Sequence, residues 1–302
     1  DARHRTGLCN AVAHGVCADD AYGLNRHIES PLQSETDGRN GKGNRTTVRL
    51  SCVKPEPTSR CAAWLRRHHN MFDYIVIGGG SAGSVLAGRL TENPAVRVCL
   101  LEAGPADNSV LIHCPAGLAV MAKFELNGWG FNTTPQAALN NRRGYQPRGK
   151  VLGGSSSINA MVYIRGQHAD YDHWAAQGNP GWGWEDVKPY FLRAENNERG
   201  ANAWHGRGGP FNVADLRAPN RFSQYFTDAG VQAGHPHNTD FNGATQEGVG
   251  LYQVTHKNGE RHSAAKGYLT PHLARPNLQV ITGAHATRIL FDGTRAVGVE
   301  YR

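Results

Sequence analysis

The sequence predicts an α/β fold built on a parallel sheet, because residues 72 to 102 read as strand, glycine turn, helix and strand. Residues 74 to 77 are a short β-branched and aromatic run, which is typical of a strand buried in a parallel sheet. After the glycines, an apolar run at helical spacing ends before Pro94, since the residue preceding proline disfavours helical geometry. Val96 to Glu102 then forms the second predicted strand.

The predicted helix has one apolar stripe that we expect to face the sheet. Its members recur at intervals of three and four residues: Ala82, Val85, Leu86 and Leu90.

The glycines of the turn have the spacing of a dinucleotide site. Gly78 permits the tight turn, Gly80 lets a pyrophosphate approach the backbone, and Gly83 lets helix and strand pack closely. The unpaired amides of the helix N-terminus would then face the phosphates. Glu102, about 20 residues on, ends the second strand, where a carboxylate accepts hydrogen bonds from both ribose hydroxyls. An acid there repels a 2′-phosphate, which argues against NADP.

Two other interpretations fit part of this stretch. One is a tight glycine turn that binds no ligand. The other is the G-x-S-x-G nucleophile elbow of α/β-hydrolases, with Ser81 as the nucleophile. The elbow leaves Glu102 unexplained and requires a partner Asp and His downstream. The dinucleotide interpretation is favoured because it explains strand, helix and acid together.

Composition restricts the class of protein. The 302 residues can form one large or two smaller domains, and no window of 18 apolar residues predicts a transmembrane segment. The net charge of +7 is not arranged as a basic stripe interleaved with aromatics, so we expect no nucleic-acid partner. Six cysteines without a C-x-x-C pair predict no metal site and a reducing compartment, with Cys99 as a buried apolar residue.

Residues 1–70 lack any sustained period of 2 or 3.6, and we expect them to be a disordered extension. The separations of their four cysteines, Cys9, Cys17, Cys52 and Cys61, match no common zinc module. A transit peptide would fit the Arg and Ser content, but this segment carries too many acids. Our hypothesis is that Met71 is the natural start and that the extension is not native.

A second glycine-rich stretch runs from Pro147 to Gly166. Its adjacent glycines and three serines bring small side chains and many backbone amides together, which suits close approach to a flat ring with polar edges. The Asn159 amide can read such an edge. A flexible linker has a similar composition, but the apolar run from Ile158 to Ile164 argues against one.

Several elements of the remaining chain can also be predicted. A helix is expected to open over Trp182 to Val187 and to run to Arg193, with acids in its first turn, and a tight turn is expected at Asn258-Gly259. Strands are expected over residues 277–282, 286–291 and 296–301.

The two glycine motifs together resemble those of the glucose–methanol–choline (GMC) oxidoreductases. Leu100 to Pro105 and Asn159 to Gly166 further resemble the choline dehydrogenase and FAD-dependent alcohol dehydrogenase branch, and the resemblance extends from Met71 to Arg302. It implies a Rossmann-like FAD-binding domain with a parallel sheet, formed by residues 71–166 and about 275–302. It also implies part of an α+β substrate-binding domain over residues of about 167–274.

The resemblance also implies which residues contact FAD. Carried over by position, they are Gly78, Gly80, Ser81, Ala82, Gly83, Glu102, Ala103, Val151, Gly153, Gly154, Ser155, Asn159, Ala160, Met161, Val162 and Ala286. Some family members attach the flavin through a His in the second motif. Ile158 stands at that position here, so we expect non-covalent FAD.

Family members oxidise an alcohol by passing a hydride to flavin N5, and their base is a late His. That position lies beyond Arg302, so we expect no catalytic residue in this chain, which would be truncated before the C-terminal catalytic segment. Two functions stay open: an FAD-dependent dehydrogenase of choline or a primary aliphatic alcohol, and an inactive FAD-binding fragment. The branch implies a quinone or respiratory-chain acceptor and a cytoplasmic location, peripheral on the inner face of the membrane.

Overall fold

The computed structural model describes residues 72–302 and three short strands before them. The early strands are β1 (Ile28–Glu29), β2 (Thr46–Arg49) and β3 (Ser51–Cys52), and β1 pairs antiparallel with β3. The predictions of a disordered extension, a natural start at Met71 and unliganded early cysteines fall on the rest of that segment and lie outside the described residues.

The α-helices and strands of residues 72–302 are interspersed along the chain. The helices are α1 (Ser81–Leu90), α2 (Val110–His113), α3 (Gly117–Lys123), α4 (His168–Ala176), α5 (Trp184–Ala194) and α6 (Arg221–Gln232). The strands are β4 (Tyr74–Ile77), β5 (Val98–Leu101), β6 (Phe131–Asn132), β7 (Tyr145–Gln146), β8 (Val162–Tyr163), β9 (Glu195–Asn197), β10 (Phe211–Val213), β11 (Gln253–Val254), β12 (His256–Lys257), β13 (Glu260–Arg261), β14 (Leu278–Ile281), β15 (Ala286–Asp292) and β16 (Arg295–Tyr301).

A three-stranded parallel sheet of order β14-β5-β4 confirms the predicted fold class. The central strand β5 is buried along its whole length, including Cys99. Its alternate side chains enter two clusters: Val98 and Leu100 pack with Leu278, and Cys99 and Leu101 pack with Val299 of β16. Each buried Leu or Val contributes about 1.5–3 kcal/mol. β4 is only half-buried, because it is at the edge of this sheet.

The predicted sheet-facing stripe of α1 is confirmed at Leu90, which packs against the first of these clusters, but it is wrong at Ala82 and Leu86, which are exposed. The buried residues are the small ones, Gly83, Ser84, Ala87 and Gly88, whereas Leu86 is exposed. Backbone lies directly against this face: a Cβ on Gly88 would be 2.3 Å from the carbonyl oxygen of Tyr268, in the π-helical turn Ala265–Leu269. The helix therefore packs through its small residues, because larger ones would hold it off its neighbours.

Other sequence predictions are confirmed by the structure. The helix predicted to open over residues 182–187 is α5, which begins at Trp184, and the Asp186 carboxylate accepts from the Gly183 amide at its N-terminus. Asn258 and Gly259, both with positive φ, form the two-residue turn of the β12–β13 hairpin. β14, β15 and β16 occupy the three stretches predicted as strands. β16 pairs with both β15 and β2.

Within the described residues, the structure contains no helix with the length and apolar character needed to cross a membrane.

Candidate functional site

The first glycine motif forms the turn between β4 and α1. Gly78 has φ +94°, a conformation that favours glycine, and its amide donates to the Leu101 carbonyl at 2.7 Å. A Cβ on Gly83 would lie 1.9 Å from the Gly78 carbonyl oxygen. Gly80 precedes the first turn of α1, which has neither a side-chain cap nor an acidic residue. The helix N-terminus is therefore free to receive an anionic group.

Glu102 lies beside this turn and is 5% exposed. Its Oε2 accepts from the Gly79 amide at 2.8 Å, and its Oε1 accepts from the Gly104 amide at 2.7 Å. A carboxylate has about four acceptor positions, so two remain for ribose hydroxyls. Glu102 thus also holds the glycine turn against the end of β5, a role that the spacing alone did not predict.

Because of these contacts, we expect Glu102→Gln to destabilise the chain by about 2 kcal/mol, since an amide NH₂ would face one of two buried backbone donors. Urea unfolding measures this loss. Glu92→Gln is the matched control, because Glu92 pairs with Arg89 on the exposed side of α1, where an ion pair contributes at most about 1 kcal/mol. Equal stability losses in the two variants would contradict the structural role of Glu102.

The second glycine motif meets the first. The Gly153 amide donates to the Gly79 carbonyl at 2.7 Å, and a Cβ on Gly154 would be 2.7 Å from the Gly80 Cα. Residues Gly154–Ser157 form a 3₁₀ turn in which three of the four residues are buried. The linker interpretation is therefore wrong, since a solvated linker would not be packed between two other segments. We call this contact between the two motifs the glycine junction.

A third segment, residues 283–286, packs beside the same two motifs. The Gly283 amide donates to the Gly104 carbonyl and the Ala284 amide donates to the Glu102 carbonyl, both at 2.8 Å. Ala286, two residues on, begins β15 and packs in the second core cluster. Segments far apart in the chain thus converge at the carboxyl ends of β4, β5 and β14, the edge at which parallel α/β sheets bind ligands.

The predicted contact residues divide into two groups by exposure. The buried group shapes the backbone and consists of Gly83, Glu102, Val151, Gly153, Gly154 and Met161. The exposed group offers surface to a ligand and consists of Ser81, Ala82, Ser155, Asn159, Ala160 and Val162, while Gly78, Gly80, Ala103 and Ala286 are intermediate. Ser81 is the first residue of α1 and is not among the residues with positive φ, unlike the strained turn of a nucleophile elbow.

An open cavity of about 630 Å³ adjoins the second motif. Ala160 and Val162 line one side, and aromatic side chains line another, among them Phe222, Phe226 and Tyr252. None of its lining residues is charged. Phe222 and Phe226 are four residues apart in α6 and so share a helical face, but this spacing gives no sign that the face adjoins the predicted ring site.

A buried ionic cluster joins segments between residues 165 and 240, and the sequence did not predict it. Glu195 is fully buried and its carboxylate pairs with Arg165 Nη2 at 2.8 Å and His205 Nδ1 at 3.0 Å. The other His205 nitrogen, Nε2, lies 2.9 Å from Asp240 Oδ2. Burial raises the pKa of Glu195, but hydrogen bonds from His205, Gly206 and Asn197 outweigh it and lower the pKa overall. The charged groups come from segments far apart in sequence, so spacing could not reveal them.

His205 should make stability depend on pH. The hydrogen bond to Glu195, followed by that to Asp240, raises its pKa above 6.5 despite burial. A group with a raised folded pKa stabilises fully below its unfolded pKa, and that stabilisation disappears as pH rises through the folded pKa. We therefore expect the unfolding free energy to fall, as pH rises above about 6.5 and through the raised folded pKa, more steeply in the unaltered chain than in His205→Gln. Parallel pH profiles would refute this.

The comparisons with known proteins agree with this geometry. The GMC oxidoreductase family model matches residues 72–302, and the chain belongs to that family. It is 51% identical over 232 residues to the alcohol dehydrogenase (acceptor) of Pseudomonas putida, covering 76% of this chain and 42% of that protein. It is 46% identical over 228 residues to the oxygen-dependent choline dehydrogenase of Brucella suis, covering 76% and 41%.

Among solved structures, the FAD-dependent oxidoreductase from Chaetomium thermophilum is similar with a TM-score of 0.70 and 34% identity, covering 76% of this chain and 41% of that one. The chain thus spans less than half the length of these relatives.

Proposed function

We propose that this chain binds FAD non-covalently and is the cofactor-binding part of an alcohol oxidoreductase. The observation that carries the proposal is the glycine junction, where the uncapped N-terminus of α1 lies beside Glu102 and the second motif. Gly80, Ser81 and Ala82 would hold the pyrophosphate, and Glu102 the ribose. Ser155, Asn159, Ala160 and Val162 would line the flavin ring, because they are exposed next to that junction.

FAD, when bound, supplies the hydride acceptor for alcohol oxidation. The chain's own residues would bind and orient it: backbone amides at the helix N-terminus would face the phosphates, and Ser155 in the 3₁₀ turn and Asn159 just after it would face the ring. Ile158 has no nucleophilic atom, which supports non-covalent binding at the position where some relatives carry a His.

The open cavity supports a primary aliphatic alcohol or choline as the substrate. Its aromatic and aliphatic walls suit an alkyl chain, and the faces of its aromatic side chains also attract a quaternary ammonium. The relative named alcohol dehydrogenase (acceptor) supports an electron acceptor for the reaction. We propose that this acceptor is a quinone or respiratory-chain carrier and that the protein acts in the cytoplasm, on the inner face of the membrane.

Histidines near the site are engaged in other contacts, which supports a base outside residues 72–302. His256 Nε2 contacts Met161 Sδ, and His262 Nδ1 accepts from the Asn212 amide. Burial lowers the pKa of His262 to about 4. His205 lies between two carboxylates. The second candidate function is accordingly an FAD-binding unit without turnover.

Titrating the purified 302-residue chain with FAD tests the proposal. Quenching of flavin fluorescence, with the flavin released on acid precipitation, is the expected result. Anaerobic addition of a primary aliphatic alcohol or choline then separates the two candidates: bleaching of the flavin absorbance supports turnover, and bound but unbleached flavin supports the binding unit. Unquenched FAD would refute both.

A further inference from the structure

Arg261 is a fully buried guanidinium at the end of the β12–β13 hairpin, on the substrate side of the molecule. It is 1% exposed. Its Nε donates to the Ile112 carbonyl at 2.8 Å, and its Nη1 donates to the carbonyls of Ser156 and Asn159 at 3.2 and 2.7 Å. Nη1 also lies 2.9 Å from Asn159 Oδ1. One side chain thus joins α2 to the second glycine motif.

All of these acceptors are neutral oxygens. Burial lowers the pKa of Arg261 to about 10, so the side chain still carries its charge at neutral pH. Its Nη2 is buried and has no hydrogen-bond partner among the described residues. A buried cation without a carboxylate is costly, and an apolar side chain of similar size would fill the same space at less expense of free energy. Packing alone therefore does not explain why a charged guanidinium with several hydrogen-bond donors occupies this position.

The segment that Arg261 holds has an unusual backbone. Met161 has φ +61°, which is rare for a side chain of this kind. Its amide donates to Asn159 Oδ1 at 3.1 Å, the same atom that Arg261 contacts, and its carbonyl accepts from the Thr255 amide at 2.8 Å. Arg261 and Thr255 thus fix the two ends of the Asn159–Met161 turn, and strained turns persist where surrounding contacts hold them.

We propose that Arg261 is a positioning residue for the cofactor, which presets the Ser156–Met161 segment so that the exposed Asn159 and Ala160 meet the flavin ring. This inference rests on the proposed FAD function. Arg261 would not contact the ring itself and would act on it through Asn159. Preorganisation of this kind strengthens binding because the ordering cost is met before the ligand arrives.

Arg165 provides a matched control. It is also a buried arginine on the substrate side, but it pairs with Glu195 and donates to the Trp204 carbonyl, away from the Ser156–Met161 segment. A purely structural Arg261 should behave like Arg165: replacing either would lower the melting temperature, and neither would change the flavin environment. The variants are R261Q, R261K and R165Q in the full 302-residue chain, with R261K retaining the charge in case R261Q fails to fold.

Hydrogen–deuterium exchange without FAD is the first measurement. We expect R261Q to exchange at least about tenfold faster in peptides spanning residues 153–162, since one or more hydrogen bonds are lost there. R165Q should instead loosen peptides around residues 195–206. Unchanged exchange at 153–162 in R261Q, or in R261K where R261Q does not fold, would overturn the inference.

FAD titration with visible circular dichroism is the second measurement. R261Q should raise the FAD Kd by about tenfold or more and reduce the flavin dichroism, R261K should recover part of both, and R165Q should change neither at a temperature where it is folded. If the wild-type chain does not quench FAD fluorescence, both the proposed function and this inference are overturned. If the wild-type chain binds FAD and both R261Q and R261K bind it with the same Kd and dichroism, only the inference is overturned.

Discussion

Replacing Gly83 by alanine should destabilise the chain by about 3 kcal/mol or more and abolish FAD binding, because overpacking against backbone has no flexible side chain to absorb it. The new Cβ would stand 1.9 Å from the Gly78 carbonyl oxygen and 3.3 Å from Val76 Cγ1. Alanine favours a helix by about 1 kcal/mol over glycine, which is too little to offset the clash. α1 would have to move off the turn, carrying its N-terminal amides away from the phosphate position.

Urea unfolding and FAD titration measure the two effects. Gly144→Ala is the control, since a Cβ there makes only ordinary contacts, the nearest with Gln146 Nε2 at 3.7 Å. If Gly83→Ala keeps the stability and FAD affinity of the control, the close packing of α1 on the glycine turn is not what forms the site.

Glu195→Gln should cost about 3–5 kcal/mol of stability, because it leaves Arg165 buried without its counter-ion and removes one of the two carboxylates that contact His205. The side chain keeps its shape, so the loss reports on charge and not on a cavity. An amide nitrogen would also face donors, including the Gly206 amide that now bonds Oε2 at 2.8 Å. Equilibrium unfolding in urea gives the magnitude.

Two further variants identify the cause of that loss. Glu300→Gln removes a surface partner of Arg288 and should cost at most about 1 kcal/mol. Adding Arg165→Met to Glu195→Gln should recover part of the stability, because the orphaned charge is then gone. A Glu195→Gln loss no larger than that of Glu300→Gln would show that the cluster contributes little.

The parts of the fold that follow from local backbone geometry could be predicted. The spacing of Gly78, Gly80 and Gly83 located the turn and α1, since few other residues permit such a path. Asn258-Gly259 located the hairpin for the same reason.

The face that α1 buries could not be predicted from hydrophobicity. Apolar periodicity favours Leu86, but the closest neighbours of α1 are backbone atoms, so Gly83 and Gly88 are buried instead. Contacts between residues distant in the chain could not be predicted either. Arg261 donates to Ile112 and Asn159, and Glu195 pairs with Arg165, only because tertiary packing brings them together.

The position of β14 beside β5 has a consequence for synthesis of the protein on the ribosome. β4 and β5 are synthesised early, but the third strand of their sheet comes from residues 278–281, after residues 102–277, which follow β5. Until then one edge of β5 stays open, and closing it requires a long loop, which slows folding. The nascent β4–β5 pair is therefore the stage most exposed to misassociation, and the proposed nucleotide site forms only after residues 278–281 have emerged.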